Sequence, residues 1–489
     1  MNKMTETREV ICVNLPWDLP KGYTGVRAGS RWPHTRKESE QLVDEYPFPF
    51  LLAYTTAVLQ EAGIPTLLLD CLAENIKTED FLKIVKTVSP KFIIAEIATP
   101  SIDNDLRILK LVREQVDVTT ILTGTHATAL GKDLLKENDW VDFVLKGEYE
   151  LSSLALIKSL GDGTSLEQTR GLIYRKNSLI HENDYGEPSD LDELPLPARE
   201  QLNMENYNEN FCLQTPNVTL ISSRGCPMSC TFCIEPVFYR TYRLRSPELV
   251  MDEVAYLLRK YRPREFYFDD SSFTVNRTHV RAICDLILSR GINIAWSVMG
   301  DVRVDQTTLR VMKRAGLVGI KFGVETADTQ NLTNIKKSHS LLQVREFVDS
   351  CKKLGIRTHA TYTFGCPGET TDSIEKTLEF AVSLDTDTAQ FSCLTPYPGT
   401  PLYEEARERG WLRTRDFAEF DGLRSSVLAY ENLSSKQIEK AVQEGKKRIL
   451  RNILVRHPRL AGKAAMNVVT RQGLRTFVRR CANLLQLIR

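Results

Sequence analysis

Three cysteines, Cys226, Cys230 and Cys233, fall within eight residues at a C-x3-C-x2-C spacing. Gly225 and Pro227 flank the first and disfavour regular structure, so the thiols sit on a loop. A tight loop lets three sulfurs converge on one soft metal centre, and thiolate-rich sites suit zinc or an iron–sulfur cluster. A four-iron cluster has four corners, usually held by four cysteines. No fourth Cys and no nearby His completes this loop. Three thiolates on such a cluster leave one iron open to a ligand, which suits chemistry rather than electron storage. A zinc knuckle with a remote fourth ligand is the bland alternative.

The elements that must carry this loop can be read from apolar patterning. Apolar runs at 10–13, 66–69, 92–95, 120–122 and 143–145 read as buried strands. Helical patterns at 50–61, 78–87, 103–114 and 130–137 lie between them. That alternation implies an α/β, Rossmann-like doubly wound sheet, whose ligands bind beyond the carboxyl ends of the strands. The loops there are 14–17, 96–101 and 124–128. The basic and aromatic stretch 27–34 carries Gly29 and Pro33 and reads as a loop that caps the sheet, with lining of the substrate cavity as the alternative.

An acidic, proline-punctuated stretch at 190–199 marks a boundary, with a linker over 190–212. Strands then read at 218–221, 266–268, 292–298, 319–324, 358–364 and 389–394. Helices read at 247–261, 280–290, 306–315, 341–354 and 372–383. Six strand–helix units make a partial TIM-like βα barrel, whose chemistry belongs at the carboxyl ends of its strands. The first of these strands delivers the cysteine loop. The expected division is a sheet domain at 1–189, a barrel at 213–425 and a helical extension at 426–489.

The cysteine triplet resembles the signature of the radical S-adenosylmethionine (SAM) enzymes, and the order of motifs is similar to their cobalamin-binding branch. The resemblance implies a [4Fe-4S] cluster whose open iron is chelated by the amino and carboxylate groups of SAM. One electron then cleaves SAM to a 5′-deoxyadenosyl radical. Phe232 matches the family's aromatic near the adenine. Asp269 and Asp270, in Asp-Asp-Ser-Ser-Phe-Thr after the second barrel strand, match the motif for the SAM ammonium, where charge-assisted bonds would hold it. Capping of the next helix is the alternative for that turn. Arg303 after the third strand is a possible clamp for the SAM carboxylate, or an ordinary salt bridge. Glu325 and Thr326, in Gly323-Val324-Glu325-Thr326, resemble the family's ribose-binding turn. Gly365–Thr370 resembles its Gly-x-Pro-Gly-Glu-Thr turn, read as partly structural, and 395–402 its closing loop.

In the amino-terminal part, Gly124 and His126 of Thr123-Gly124-Thr125-His126-Ala127-Thr128, and the turn Lys146-Gly147-Glu148-Tyr149-Glu150, resemble the branch's cobalamin-binding domain. The family's cobalt-ligating Asp-x-His-x-x-Gly is absent. His126 is therefore read as a loop or corrin-packing residue ahead of a cobalt ligand, imidazole being a capable ligand in general. The activity implied is cobalamin-dependent methylation of an unactivated carbon, on a lipid, an isoprenoid or another small molecule. An electron donor such as flavodoxin or ferredoxin would serve it. The alternatives are a radical oxidative cyclase of the same branch and a non-catalytic metal-binding sensor.

Composition sets the remaining bounds. The 489 residues are 42% hydrophobic and 26% charged, with net charge +1, which does not read as a nucleic-acid binder. Eleven mostly isolated cysteines fit a reducing cytoplasm, not a disulfide framework. No secretory signal and no 18-residue apolar run is read. Residues 441–489 carry twelve Lys or Arg and one acid, Glu444, interleaved with apolar residues. This segment reads as packing under the barrel or lying on an anionic membrane surface.

Overall fold

The computed structural model describes residues 8–28, 31–37, 46–186 and 188–456. Strand β1 (Val10–Asn14) is buried along its whole length, as an unbroken apolar run requires. It leads into a hairpin, β2 (Tyr23–Ala28) against β3 (Arg31–Lys37), in place of the expected loop at 27–34. These strands carry no apolar run; hydrogen bonds of Arg27 and one close approach seat them. A Cβ at Gly25 would lie 2.3 Å from the Trp17 ring.

Next, α1 (Phe50–Glu61), β4 (Thr66–Asp70), α2 (Thr78–Val88), β5 (Phe92–Glu96), α3 (Ile102–Arg113) and β6 (Thr119–Thr123) alternate as expected. Helix α4 (Thr125–Glu137) begins five residues before its expected start, and its backbone kinks at Leu130, where that start lay. Strand β7 (Phe143–Leu145) and α5 (Glu150–Asp162) follow. Two short strands absent from the sequence reading, β8 (Leu172–Lys176) and β9 (Leu179–Glu182), extend the sheet antiparallel. The order is β4-β1-β5-β6-β7-β8-β9. Ile11, Ile93 and Leu122 face α2, α3 and α4, while Val10, Ile94 and Ile121 face α1 and α5. The strand order reverses between β1 and β5, so the ligand crevice of this topology lies beyond Asn14 and Glu96.

Residues 190–212 run between the sheet domain and the barrel, touching both. The Ala198 N–H donates to the Ala53 carbonyl at 3.0 Å, and the Leu68 N–H donates to Gln201 at 2.8 Å. Strand β10 (Asn217–Leu220) opens the barrel. Strands β11 (Ser223–Arg224) and β12 (Arg243–Leu244) pair antiparallel around the cysteine loop, with α6 (Glu235–Phe238) between them. Then come α7 (Pro247–Tyr261), β13 (Glu265–Phe268), α8 (Arg277–Ser289), β14 (Ala295–Gly300), α9 (Gln306–Arg314) and β15 (Leu317–Glu325). They are followed by α10 (Thr329–Asn334), α11 (Leu341–Leu354), β16 (Arg357–Phe364), α12 (Thr371–Leu384), β17 (Thr388–Cys393) and α13 (Pro401–Glu408).

The six barrel strands β10, β13, β14, β15, β16 and β17 are parallel and neighbour each other in chain order. Phe266, Phe268, Ile320, Phe322, Ala360 and Tyr362 pack into the core under the helices. Strand alternation sends Met299, Lys321, His359, Thr361 and Gln390 to the opposite, inner face. Phe211 and Cys212 pack on Tyr267 of that face. Helix α14 (Ser435–Arg456) buries Ile438, Ala441, Val442 and Ile449 in the barrel core, so the extension packs on the barrel as far as it is described. Residues 457–489, most of the basic segment, lie outside the described residues. Among the described residues no helix is long and apolar enough to cross a membrane.

Candidate functional site

The cysteine loop leaves β10 at the carboxyl end of the barrel sheet, and its shape depends on Gly225. That residue has φ +76°, and a Cβ there would lie 2.3 Å from the Thr241 carbonyl. The loop is tied to the barrel rim on two sides. The Thr231 N–H donates to the Ile335 carbonyl at 3.1 Å, and the Leu402 N–H donates to the Thr231 carbonyl at 2.9 Å. Cys226, Cys230 and Cys233 are half-buried and in no disulfide. Burial pushes all three thiols up, so the thiolate forms they need as ligands require nearby positive charge or a metal.

Positive charge is at hand. Lys337, from the turn after α10, pairs with Glu325 at 2.8 Å. Burial alone would lower its pKa, and the Glu325 carboxylate and the nearby Cys230 more than offset this. Arg303 donates through Nε to Asp301 at 2.7 Å and through Nη1 to Ser338 at 2.8 Å. Its Nη2 lies 3.0 Å from the sulfur of Met228, inside the cysteine loop. Among the described residues no three His, Cys, Asp or Glu side chains are gathered to hold a single metal ion.

The remaining expected contacts divide into rim and support. Asp269 is half-buried at the end of β13, its N–H on the Leu220 carbonyl at 2.8 Å. Asp270 is fully buried and points back into the fold. It accepts from Ser222 N–H at 3.2 Å, from the Ser222 hydroxyl at 2.9 Å and from the Ser223 hydroxyl. It therefore holds the chain entering the cysteine loop. The turn does not work by capping either, since α8 is capped by Asn276.

Glu325 stands at a register shift in β15 with φ +67°, facing Lys337. Thr326 is turned inward, its hydroxyl 3.2 Å from that of Thr377 and accepting from Asp328 N–H at 3.2 Å. Its hydroxyl thereby shapes the turn. Phe232 packs with Ile335, Cys366, Leu394 and Leu402, against Cys230 and Cys233. In the Gly365–Thr370 turn, buried Glu369 accepts from Gly365 N–H and from Cys366 N–H at 3.3 Å, and burial raises its pKa to about 8.

At the sheet domain's edge, Gly124 has φ +97°, and a Cβ would lie 2.6 Å from the Ile97 carbonyl. It permits the close approach of two loops. His126 is fully enclosed, its Nδ1 3.2 Å from the Thr99 hydroxyl and its ring edge-on to Phe417 at 5.0 Å. Burial lowers its pKa to about 3. A neutral ring so covered packs between Thr99 and Phe417. Glu96 accepts from the Tyr149 hydroxyl at 2.5 Å, while its other oxygen is buried without a partner. Burial raises its pKa to about 7. Such an orphaned oxygen at the crevice fits a bound polar ligand.

Sequence reasoning missed Asp301, Lys337 and Glu235, whose carboxylate accepts from the Ser271 hydroxyl. Glu235 follows Cys233 by two residues, a proximity that could have pointed to it. Lys337 carries no such signal, because only the fold brings it to Glu325.

Residues 220–381 match the radical SAM superfamily. An uncharacterized methyltransferase of Pyrococcus horikoshii is 29% identical over 417 residues, covering 84% of this chain and 90% of the relative. An anaerobic magnesium-protoporphyrin IX monomethyl ester cyclase of Rubrivivax gelatinosus is 26% identical over 390 residues, covering 77% and 69%. Among solved structures, the radical SAM methyltransferase TsrM of Kitasatospora setae, with cobalamin and a [4Fe-4S] cluster bound, superposes with a TM-score of 0.64. The likeness is 16% identical, spans 83% of this chain and 76% of that one, and shows the shared fold.

Proposed function

We propose that this chain, a radical SAM enzyme by its domain at 220–381, carries out cobalamin-dependent methyl transfer to an unactivated carbon. The observation that carries the reading is the half-buried cysteine triplet at the end of β10, flanked by the Glu325–Lys337 and Asp301–Arg303 pairs. When bound, the cluster and SAM supply a 5′-deoxyadenosyl radical, and cobalamin supplies the methyl group.

The chain's own residues bind, orient and exclude water. Cys226, Cys230 and Cys233 hold the cluster. Lys337 and Arg303 set positive charge beside the thiolates. Asp269 and Glu325 face the SAM amine and ribose, with Arg303 at its carboxylate. Phe232 and its apolar neighbours keep water from the loop. The crevice at Asn14, Glu96 and Gly124 takes cobalamin, with no protein ligand from His126. The inner barrel face bears Thr361, Gln390 and Ser392, which favours a substrate with hydrogen-bonding groups over a bare hydrocarbon. A flavodoxin or ferredoxin serves as the electron donor. The basic segment 457–489 supports contact with an anionic membrane surface.

The similarity to a cyclase supports a second reading, radical oxidation without methyl transfer. The test is anaerobic reconstitution with iron, sulfide and hydroxocobalamin, then metal counting and product analysis with SAM and dithionite. Methyl transfer expects iron and cobalt, with both 5′-deoxyadenosine and S-adenosylhomocysteine formed. The cyclase reading expects 5′-deoxyadenosine without S-adenosylhomocysteine. Zinc in place of iron, or intact SAM, would refute both.

A further inference from the structure

The sheet domain meets the barrel across a buried ion cluster that the chemistry above leaves unused. Glu148 and Glu150 lie at the turn between β7 and α5. Arg224 ends β11, two residues before Cys226. One terminal nitrogen of its guanidinium donates to Glu148 at 2.6 Å, and the other lies 2.7 Å from Glu150. The side chains of Arg224, Glu150 and Glu148 are 2%, 3% and 13% exposed. Tyr54 of α1 lays its ring 4.9 Å from the guanidinium carbon. Arg243, the β12 partner of Arg224, donates to the second oxygen of Glu148. Carboxylates of one domain thus grip both strands that open and close the cysteine loop.

The same turn is fastened to the carboxyl edge of the sheet. The Gly147 N–H donates to the Thr128 hydroxyl at 2.9 Å, and that hydroxyl donates to the Gly124 carbonyl at 2.7 Å. Tyr149 donates to Glu96. Gly147 has φ +65°, and a Cβ there would lie 3.1 Å from the Phe238 carbonyl, in the helix that follows the cysteines. The residues between the crevice and the cysteine loop are therefore in unbroken contact.

We propose that residues 147–150 are a bracket that fixes the cysteine loop against the sheet domain, with Arg224 as the positioning residue at its centre. The inference rests on the assignment of the cluster to Cys226, Cys230 and Cys233. A guanidinium presents two nitrogens to two carboxylates, whereas an ammonium presents one, so lysine cannot restore the grip. Loss of either carboxylate leaves a buried charge under-compensated, and the loop gains freedom to open around the irons.

The test uses the full chain with its cluster reconstituted, comparing wild type with Arg224→Lys, Glu150→Gln and Glu148→Gln. Two quantities are read: the rate of iron release to a chelator, and the change that SAM causes in the electron paramagnetic resonance spectrum of the reduced cluster. Arg224→Lys and Glu150→Gln are expected to release iron about tenfold faster, the size that losing one charge-assisted hydrogen bond implies. They should also show a weakened SAM-induced change, which a purely structural contact would leave alone. Glu148→Gln weakens the contacts to both Arg224 and Arg243 and is expected to release iron at least as fast as Glu150→Gln. Wild-type release and a wild-type spectrum in all three would overturn the bracket while leaving the cluster assignment standing. A wild-type chain that takes up no iron would overturn both.

Discussion

The sheet domain and the barrel are built from the same strand–helix repeat, yet they treat the carboxyl ends of their strands in opposite ways. In the sheet domain the polar rim is satisfied largely from within. Arg27, carried in by the hairpin, donates to Asp105 at 2.6 Å, to Asn14 at 2.8 Å and to the Leu15 carbonyl at 2.8 Å. Asp70 accepts from Asn14 at 2.9 Å and from Tyr207 at 3.0 Å. His126 is covered by Phe417. In the barrel, Cys226, Cys230 and Cys233 stay half-buried beside charged pairs. One rim is a mostly satisfied polar surface with one orphaned oxygen, on Glu96, and the other keeps three half-buried thiols beside charged pairs.

Breaking the barrel side should have the largest effect. Cys226→Ser removes one of three cluster ligands, and complete loss of SAM cleavage is expected, read as the absence of 5′-deoxyadenosine. Asp270→Asn comes next. It takes the charge from the hydrogen bonds to Ser222 and Ser223, and about 2 kcal/mol of stability should be lost, measured by urea unfolding and accompanied by poorer iron retention.

The pH effects are smaller and sharpen the contrast through their signs. Glu369 has a folded pKa of about 8 against a reference of 4.5. The folded chain thus binds the extra proton between those values, and stability falls as pH rises through that window. Glu369→Gln mimics the protonated acid and should remove this slope, worth at most about 1.4 kcal/mol per pH unit. His126 has the opposite sign, with a folded pKa of about 3 against 6.5. There the unfolded chain binds the extra proton, and stability falls as pH drops below 6.5. His126→Asn should flatten that acid limb without changing cobalamin uptake, read from thermal unfolding at several pH values and from the optical spectrum. Loss of cobalamin in His126→Asn would return the ring to the cofactor.

Much of this was legible in the sequence, for reasons that differ by residue. The strands announced themselves because parallel strands buried on both faces must be apolar throughout, as in Val10–Asn14 and Phe92–Glu96. The cysteine triplet was legible because its ligands are local. The hairpin Tyr23–Lys37 was not, since Arg27 and a Gly25–Trp17 contact seat it without apolar periodicity. Strands β8 and β9 are short and half-polar at the sheet edge. Asp270 and Thr326 occupy the right loops, but the direction of a side chain at the end of a strand is decided by neighbours far along the chain, here Ser222 and Thr377. Lys337 and Arg224 gain their meaning only from partners 12 and more than 70 residues away.

The most direct measurement of the central claim is the spectrum of the reduced, anaerobically reconstituted chain before and after SAM is added. A [4Fe-4S] signal that shifts with SAM in the wild type, and is absent in Cys230→Ser, is the expected result, because three thiolates leave one iron open to SAM. A four-iron signal that SAM leaves unchanged, or one that survives removal of Cys230, would contradict the assignment of this loop.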